Sequence, residues 1–190
     1  MTTFQSSKLL PSLFHKIEDD ARISVLHVGT ALPETIDFFS DFRCKLYFVD
    51  LFDELPITAN EDNKPTLEQY FTQSLNFDPN IQFDVCLFWD FFNFLGNEAV
   101  SAFMAVLKPH LHANTLGHAF AVHKRKSEQS KQLYGIVDAN RIRVRTRSTL
   151  LPAYAPQPQA RLENMLTCLN FDRSVLLPDG RLELLLSAKL

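Results

Sequence analysis

Residues 23–55 read ISVLHVGTALPETIDFFSDFRCKLYFVDLFDEL, and the order of their parts decides the fold. An apolar run from Ile23 to Val28 stops at Gly29, a helical stretch follows, and a second apolar run from Lys45 to Val49 stops at Asp50. A strand, turn, helix and parallel strand set the turn and the carboxylate side by side at the C-terminal edge of an open sheet. Doubly wound folds hold adenosine-containing ligands at that edge. The turn reads Gly29-Thr30-Ala31-Leu32-Pro33, with a single glycine where such turns usually follow a G-x-G-x-G pattern. Pro33 suits the first position of the helix, with Glu34 and Asp37 in its first turn.

Outward from this unit the same alternation continues. Leu67, Tyr70, Phe71 and Leu75 recur at helical spacing, so the pattern predicts a helix over Thr66–Asn76, capped by Thr66. FDVCLFW at Phe83–Trp89 is a continuous apolar run of the kind buried on both faces. Ala99–Leu107 reads as a helix stopped by Pro109, and the HAFAVH that follows Gly117 reads as a further central strand. Upstream, residues 8–20 read as a short helix presenting Leu13, Phe14 and Ile17. The last third predicts a hairpin over Tyr134–Arg147 with its turn at Asp138-Ala139-Asn140, a proline-punctuated loop, a helix over Gln159–Leu169, and a terminal hairpin around Pro178-Asp179-Gly180. The order β-α-β-α-β-α-β implies an open, mostly parallel sheet.

The 190 residues fit one domain spanning 1–190, with enough apolar chain for a single core. With 17 Phe and only 5 Gly, the core is aromatic and a glycine-rich phosphate loop is excluded. The N-terminal residues lack the pattern of a signal peptide, and no run approaches the roughly 18 apolar residues of a membrane span, so the expected location is cytoplasmic. Cys44, Cys86 and Cys168 are odd in number, far apart and in apolar neighbourhoods, which predicts buried free thiols in a reducing compartment.

Net charge is −3, unevenly placed. Residues 124–147 hold eight Lys/Arg against two acids, leaving 11 basic and 20 acidic residues elsewhere. Within that patch Arg141, Arg143, Arg145 and Arg147 alternate with Ile142, Val144 and Thr146, so strand periodicity puts four guanidinium groups on one face. That face is either solvated or matched by an anionic partner: nucleic acid, a phosphate-bearing substrate or an acidic protein. No aromatic residue interleaves with the arginines. His110-x-His112, with His118 and His123 downstream, lacks the spacing of a defined metal site, and His118 and His123 have opposite strand parity, so no metal is expected.

The layout resembles the class I S-adenosylmethionine-dependent methyltransferases over nearly the whole chain. VLHVGTA at Val25–Ala31 sits where that family has its first motif, VDL at Val49–Leu51 matches the acid-tipped second strand, and FDVCLFWDFFNFL at Phe83–Leu95 is similar to the fourth-strand motif. LKPHL at Leu107–Leu111 and the terminal FDRSVLLPDGRLELLL complete the match. The resemblance implies a Rossmann-like α/β sheet, mostly parallel, with a C-terminal antiparallel hairpin. It also implies S-adenosylmethionine as cofactor and methyl transfer to an unidentified acceptor. The third strand is short or missing, because little chain separates Asp50 from Phe83. Carried over, the cofactor residues are His27, Gly29 and Thr30, then Asp50 and Leu51, with Asp50 on the ribose hydroxyls, and Trp89 and Asp90 after the fourth strand. Asp90 is equally a helix cap, with Asn93 three residues on.

Several positions depart from the family pattern. His27 replaces an acid, and Ala31 and Pro33 replace glycines that let backbone approach the cofactor. Glu34 already puts negative charge at the helix N-terminus, and Pro33 removes a donor there, both of which argue against ordinary cofactor binding. Asp62 and Asp78 are the candidates for reading the adenine. No catalytic base is assigned, and methyl transfer needs chiefly positioning. The alternatives are therefore a catalytically inactive protein of the same fold serving as a binding or assembly module, or a pocket for another adenosine nucleotide.

Overall fold

The computed structural model describes residues 2–17, 21–59, 65–124, 128 and 131–190. In chain order the elements are β1 (Thr2–Ser6), α1 (Leu10–Phe14), β2 (Ile23–Val28), α2 (Pro33–Phe39), β3 (Cys44–Val49), α3 (Leu67–Leu75), β4 (Phe83–Trp89), α4 (Asn97–Leu107), β5 (Leu111–Val122), β6 (Gln132–Asp138), β7 (Arg141–Thr146), α5 (Gln159–Met165), β8 (Leu169–Leu176) and β9 (Arg181–Ala188). Six strands form one sheet in the order β3-β2-β4-β5-β9-β8, and three form a smaller one in the order β1-β7-β6. β3, β2, β4 and β5 run parallel, whereas β9 and β8 close the large sheet antiparallel. Among the described residues no strand lies between β3 and β4, so β3 is an edge of the large sheet.

Side-chain alternation splits the core into two layers. Leu26, Cys86, Phe88, Leu184 and Leu186 face α3, α4 and α5, where Phe71, Phe103 and Leu162 meet them. Val25, Leu87, Trp89, Phe120 and Leu185 face the other way, toward α1, α2 and the small sheet. Central strands covered on both faces need apolar residues at every position, which is why β2 and β4 read as unbroken runs. α3 has the reciprocal cap that its sequence promises: Thr66 Oγ1 accepts from the Gln69 N–H at 3.2 Å, and Gln69 Oε1 accepts from the Thr66 N–H at 2.8 Å.

Some expectations need correction. Polar TTFQS, to which the sequence assigned no element, forms β1 and pairs with β7. β5 begins at Leu111, six residues before Gly117, because it runs the full length of β4. The Gln159 helix ends at Met165, since Leu169 already opens β8. Cys86 and Cys168 are buried free thiols, but Cys44, on the edge strand, is only partly buried. No helix of the described residues is long and apolar enough to cross a membrane.

One buried carboxylate ties the layers together. Glu183, on the inner face of β9, is fully buried. It accepts hydrogen bonds from the Ser7 hydroxyl, from the backbone N–H groups of Lys8 at 2.8 Å and Leu9 at 3.2 Å, and from His118 Nε2 at 2.9 Å. Ser7 Oγ in turn accepts from the Leu10 N–H at 2.9 Å, so the same cluster caps α1. Burial alone would push this carboxyl up, but His118, Ser7 and the Lys8 N–H outweigh it and hold Glu183 down at about 2. Glu183→Ala strands these donors in the core and is expected to cost roughly 3–5 kcal/mol in denaturant unfolding. A depressed carboxyl binds fewer protons folded than unfolded. The stability that Glu183 lends is therefore complete above 4.5 and is lost as pH falls through that value toward about 2. A pH series of melting temperatures should show this fall in the wild type and its absence in Glu183→Ala.

Candidate functional site

The C-terminal edges of β2, β3 and β4 meet as the sequence order requires. Gly29 leaves β2 with φ +134°, a conformation that L side chains rarely adopt, and its N–H donates to Val49 O at 2.8 Å. Thr30 Oγ1 donates to Asp50 Oδ2, and the Phe52 N–H donates to Asp50 Oδ1 at 3.2 Å. Both Asp50 oxygens are thus engaged in holding the β2–α2 turn to the chain after β3. That chain brings the Phe52 ring over Gly29, where a Cβ on the glycine would stand 3.6 Å from the ring. Phe52 packs edge-on against Phe91 and Phe94, and the Arg147 guanidinium lies 4.6 Å from its centroid. Leu51 points away, into the helical layer of the core.

Trp89 ends β4 at φ +52°, unusual for a bulky side chain. Its indole N–H donates to His27 Nε2 at 2.9 Å, and its ring stacks on Tyr134 of β6 at 5.2 Å and 14°. Since Nε2 accepts, His27 carries its proton on Nδ1. Burial lowers His27 to about 4, against weaker opposing effects from the Gly29 and His27 backbone and from Asp50. A neutral acceptor for a buried indole explains why histidine, not an acid, stands on this strand. Asp90 is buried and makes no capping hydrogen bond to the short helical turn after it, so the cap role does not hold. Asn93 is structural: its Nδ2 donates to Phe120 O at 3.2 Å and its backbone carbonyl accepts from the Ala155 N–H at 2.8 Å.

The β6–β7 hairpin is fastened over this edge. The Ile136 N–H donates to Thr35 Oγ1 at 3.0 Å, and Glu34 takes Arg145 at both oxygens, at 3.1 and 2.8 Å. Burial pushes the Glu34 carboxyl up, but Arg145 and the Glu34 backbone pull it net down. Glu34 lies so close over Gly135 that a Cβ there would meet its Cγ at 2.5 Å. The negative charge read at the start of α2 therefore serves the hairpin. Of the other arginines, Arg141 pairs with Asp138 at 2.9 Å and Arg143 lies 5.1 Å from the Phe4 ring centroid.

Of the residues named from sequence, His27, Gly29, Thr30, Trp89 and Asp90 do line one cleft, and Asp50 sits behind its wall. Leu32, from the turn that lacks the family's glycines, also lines it, and the sequence did not reveal the other residues that fill it: Phe52, Gln132, Leu133, Tyr134 and Arg147. The space left is about 10 Å³, on the order of one water molecule. Asp78 lies before β4, at the opposite edge of the sheet, and its Oδ1 accepts from the Asn80 N–H, so it cannot reach an adenine here. Asp62 lies outside the described residues. Among the described residues no three metal-ligating side chains gather, and His118 is bonded to Glu183.

No family model and no curated protein matches this sequence. Solved structures do match. The CcbJ methyltransferase from Streptomyces caelestis superposes with a TM-score of 0.54 at 12% identity over 95% of this chain and 94% of that one. The 1,6-didemethyltoxoflavin-N1-methyltransferase of Burkholderia thailandensis, solved with S-adenosylhomocysteine, gives 0.51 at 13% over 89% and 72%. A TehB-like S-adenosylmethionine-dependent methyltransferase from Corynebacterium glutamicum gives 0.50 at 12% over 95% and 87%. This is the class I methyltransferase fold. At such identities the likeness is one of architecture, and the site must be judged on its own residues.

A methyltransferase fold takes its cofactor across the first turn and the acid-tipped strand. Here the residues do not fit S-adenosylmethionine as they stand, because Phe52 covers the glycine, the Asp50 oxygens are bonded within the chain, and β6 with Arg147 closes the cleft. Two variants probe this packing. Gly135→Ala should cost about 1–3 kcal/mol by forcing Glu34 and Arg145 from their places, read by chemical unfolding. The lowered His27 means that the unfolded chain binds the proton more readily, so stability should fall as pH drops from 6.5 to about 4 and level off below. His27→Gln, which can still accept from Trp89, should flatten that segment of a melting-temperature profile.

Proposed function

We propose that this chain is a catalytically inactive protein of the methyltransferase fold, serving as a binding or assembly module. The observation that carries this reading is the Phe52 ring seated on Gly29 in a cleft of about 10 Å³. The anchors that close it come from far along the chain: Tyr134 on the Trp89 indole and Arg147 on the Phe52 ring, with Arg145 on Glu34 alongside. Asp50 is in this reading a structural acid that joins two turns, not a ribose ligand. The solvent-facing surfaces of the fold, rather than its cleft, then carry the activity.

A second reading is favoured by a specific observation. Gly29 at φ +134° beside an acid-tipped strand is the layout of a cofactor turn, and with Phe52 and Arg147 swung aside it would admit S-adenosylmethionine for methyl transfer to an unidentified acceptor.

Thermal shift with S-adenosylmethionine and S-adenosylhomocysteine at millimolar concentration separates the two. A ligand at a hundredfold its Kd adds about 2.7 kcal/mol, a rise of roughly 5–10 °C for a chain of this size. No rise is expected. A rise that is lost when Asp50→Ala weakens binding by about 1–3 kcal/mol would establish the enzyme reading instead. With no ligand present, Asp50→Ala should itself lower the melting temperature, since it releases Thr30 and the Phe52 N–H.

A further inference from the structure

The outer face of the small sheet joins residues that the sequence keeps far apart. In the β1–β7 register Phe4 lies opposite Arg143, with Thr2 opposite Arg145 and Ser6 opposite Arg141, so these side chains share one face of the small sheet, whose Arg145 end lies against Glu34 of α2. Thr3 and Gln5 pair with Val144 and Ile142, which are buried. Phe4 is 57% exposed, a large apolar side chain that the core leaves out. The Arg143 and Arg141 guanidinium groups stand 5.1 and 5.3 Å from its ring centroid. Arg145 is committed to Glu34, whose carboxylate also feels the Arg143 charge, and Arg141 shares its charge with Asp138, while among the described residues half-buried Arg143 makes no ion-pair contact.

We propose that this Phe4–Arg141–Arg143 face binds single-stranded nucleic acid. An apolar ring more than half exposed on a strand gains little from the fold beyond its contacts with these two guanidinium groups. Flanked by two planar cations it makes a stacking platform, because unpaired bases stack on aromatic rings and on guanidinium planes alike, while the same arginines meet the phosphates. Strand geometry sets Arg141 and Arg143 about 6.6 Å apart along β7 and β1 about 4.8 Å to the side. β1 is an edge strand, so the platform is open on one flank. Arg141, Arg143 and Arg145 stand together on this face of β7, against the carboxylates of Asp138 and Glu34, so it keeps an excess of positive charge that attracts an anion. An acidic protein would use the arginines alone and leave the ring unused, and a duplex hides the faces of its bases. The inference goes beyond the reading of the cleft and stands whichever way the cofactor titration falls.

The test is fluorescence anisotropy of the full chain with labelled rU12, dT12 and a 12-base-pair duplex across a salt series. The single strands are expected to bind more tightly than the duplex, with affinity falling as salt rises. Phe4→Ala should weaken single-strand binding about tenfold with an unchanged melting temperature, on the scale of one lost stacking contact. Should that variant lose β1, Phe4→Leu keeps the apolar volume without the ring and is expected to show the same loss. Arg143→Ser should weaken binding and reduce the salt slope by about 0.7, one phosphate contact. No binding by the wild type at low salt up to about 0.1 mM protein, the weak end of non-specific association, overturns the proposal. Wild-type affinity in both Phe4 variants, or competition by poly-glutamate of matched charge as effective as unlabelled rU12, overturns it too and assigns the face to an acidic protein.

Discussion

A carboxylate buried without water must find donors or unfold the structure around it, and Glu183 finds them in the N-terminal segment. Three of its contacts, Ser7, Lys8 and Leu9, come from a stretch that has no strand partner in the large sheet. By fixing residues 7–9 on β9, the acid sets where α1 begins and where β1 is delivered. β1 then supplies the edge against which β7 pairs, and Ser7 adds a backbone bond to Asn140 at the β6–β7 turn. The small sheet is thus located from one side by a buried charge and from the other by the Glu34–Arg145 pair and Thr35.

With the small sheet so placed, the closed cleft follows from packing. Tyr134 lies flat on Trp89, whose indole is held by neutral His27, and Arg181 supports Tyr134 from below with a 3.0 Å bond to its hydroxyl. Arg147 then continues from β7 onto the Phe52 ring. Each contact answers a local need: an indole N–H requires an acceptor, a guanidinium a partner, and a phenyl ring on an exposed turn a cover. Together they occupy the edge of the sheet that the fold elsewhere keeps for a ligand.

Much of this was legible in the sequence, for physical reasons. β2, β3 and β4 and the two late hairpins announced themselves through unbroken apolar runs and through Asp138-Ala139-Asn140 and Pro178-Asp179-Gly180 at their turns. Arg141, Arg143 and Arg145 were read with the correct parity, since Ile142 and Val144 are buried, but Arg147 lies beyond β7 and turns onto Phe52 instead of sharing their face. The adjacency of Gly29 and Asp50 was legible from element order alone. What filled the space between them was not, because Phe52 is one of 17 phenylalanines and nothing local marks it as a plug. β1 was missed because TTFQS has no apolar alternation; it is a strand only because β7 is there. Phe4 beside Arg143 is likewise a fact of pairing, not of spacing. Glu183 did leave a signal: a lone acid inside RLELLL, on a strand covered from both sides, demands a buried partner. Asp90 misled because the residue that caps a helix and the residue that is buried beside one have the same chemistry.

The join between Ser7 and Glu183 spans 176 residues, and β1 pairs with a strand from the later half of the chain. Contacts of such separation close late, since the loop entropy must be met before they contribute. During synthesis residues 2–10 therefore wait, unpaired, until β7 and β9 have left the ribosome. In the finished protein the same segment is the natural first unit to release, with the six-stranded sheet persisting behind it. Hydrogen exchange along the chain would then be graded by topology: quick at β1, slow at β2 and β4, with Glu183 as the latch between the two regimes.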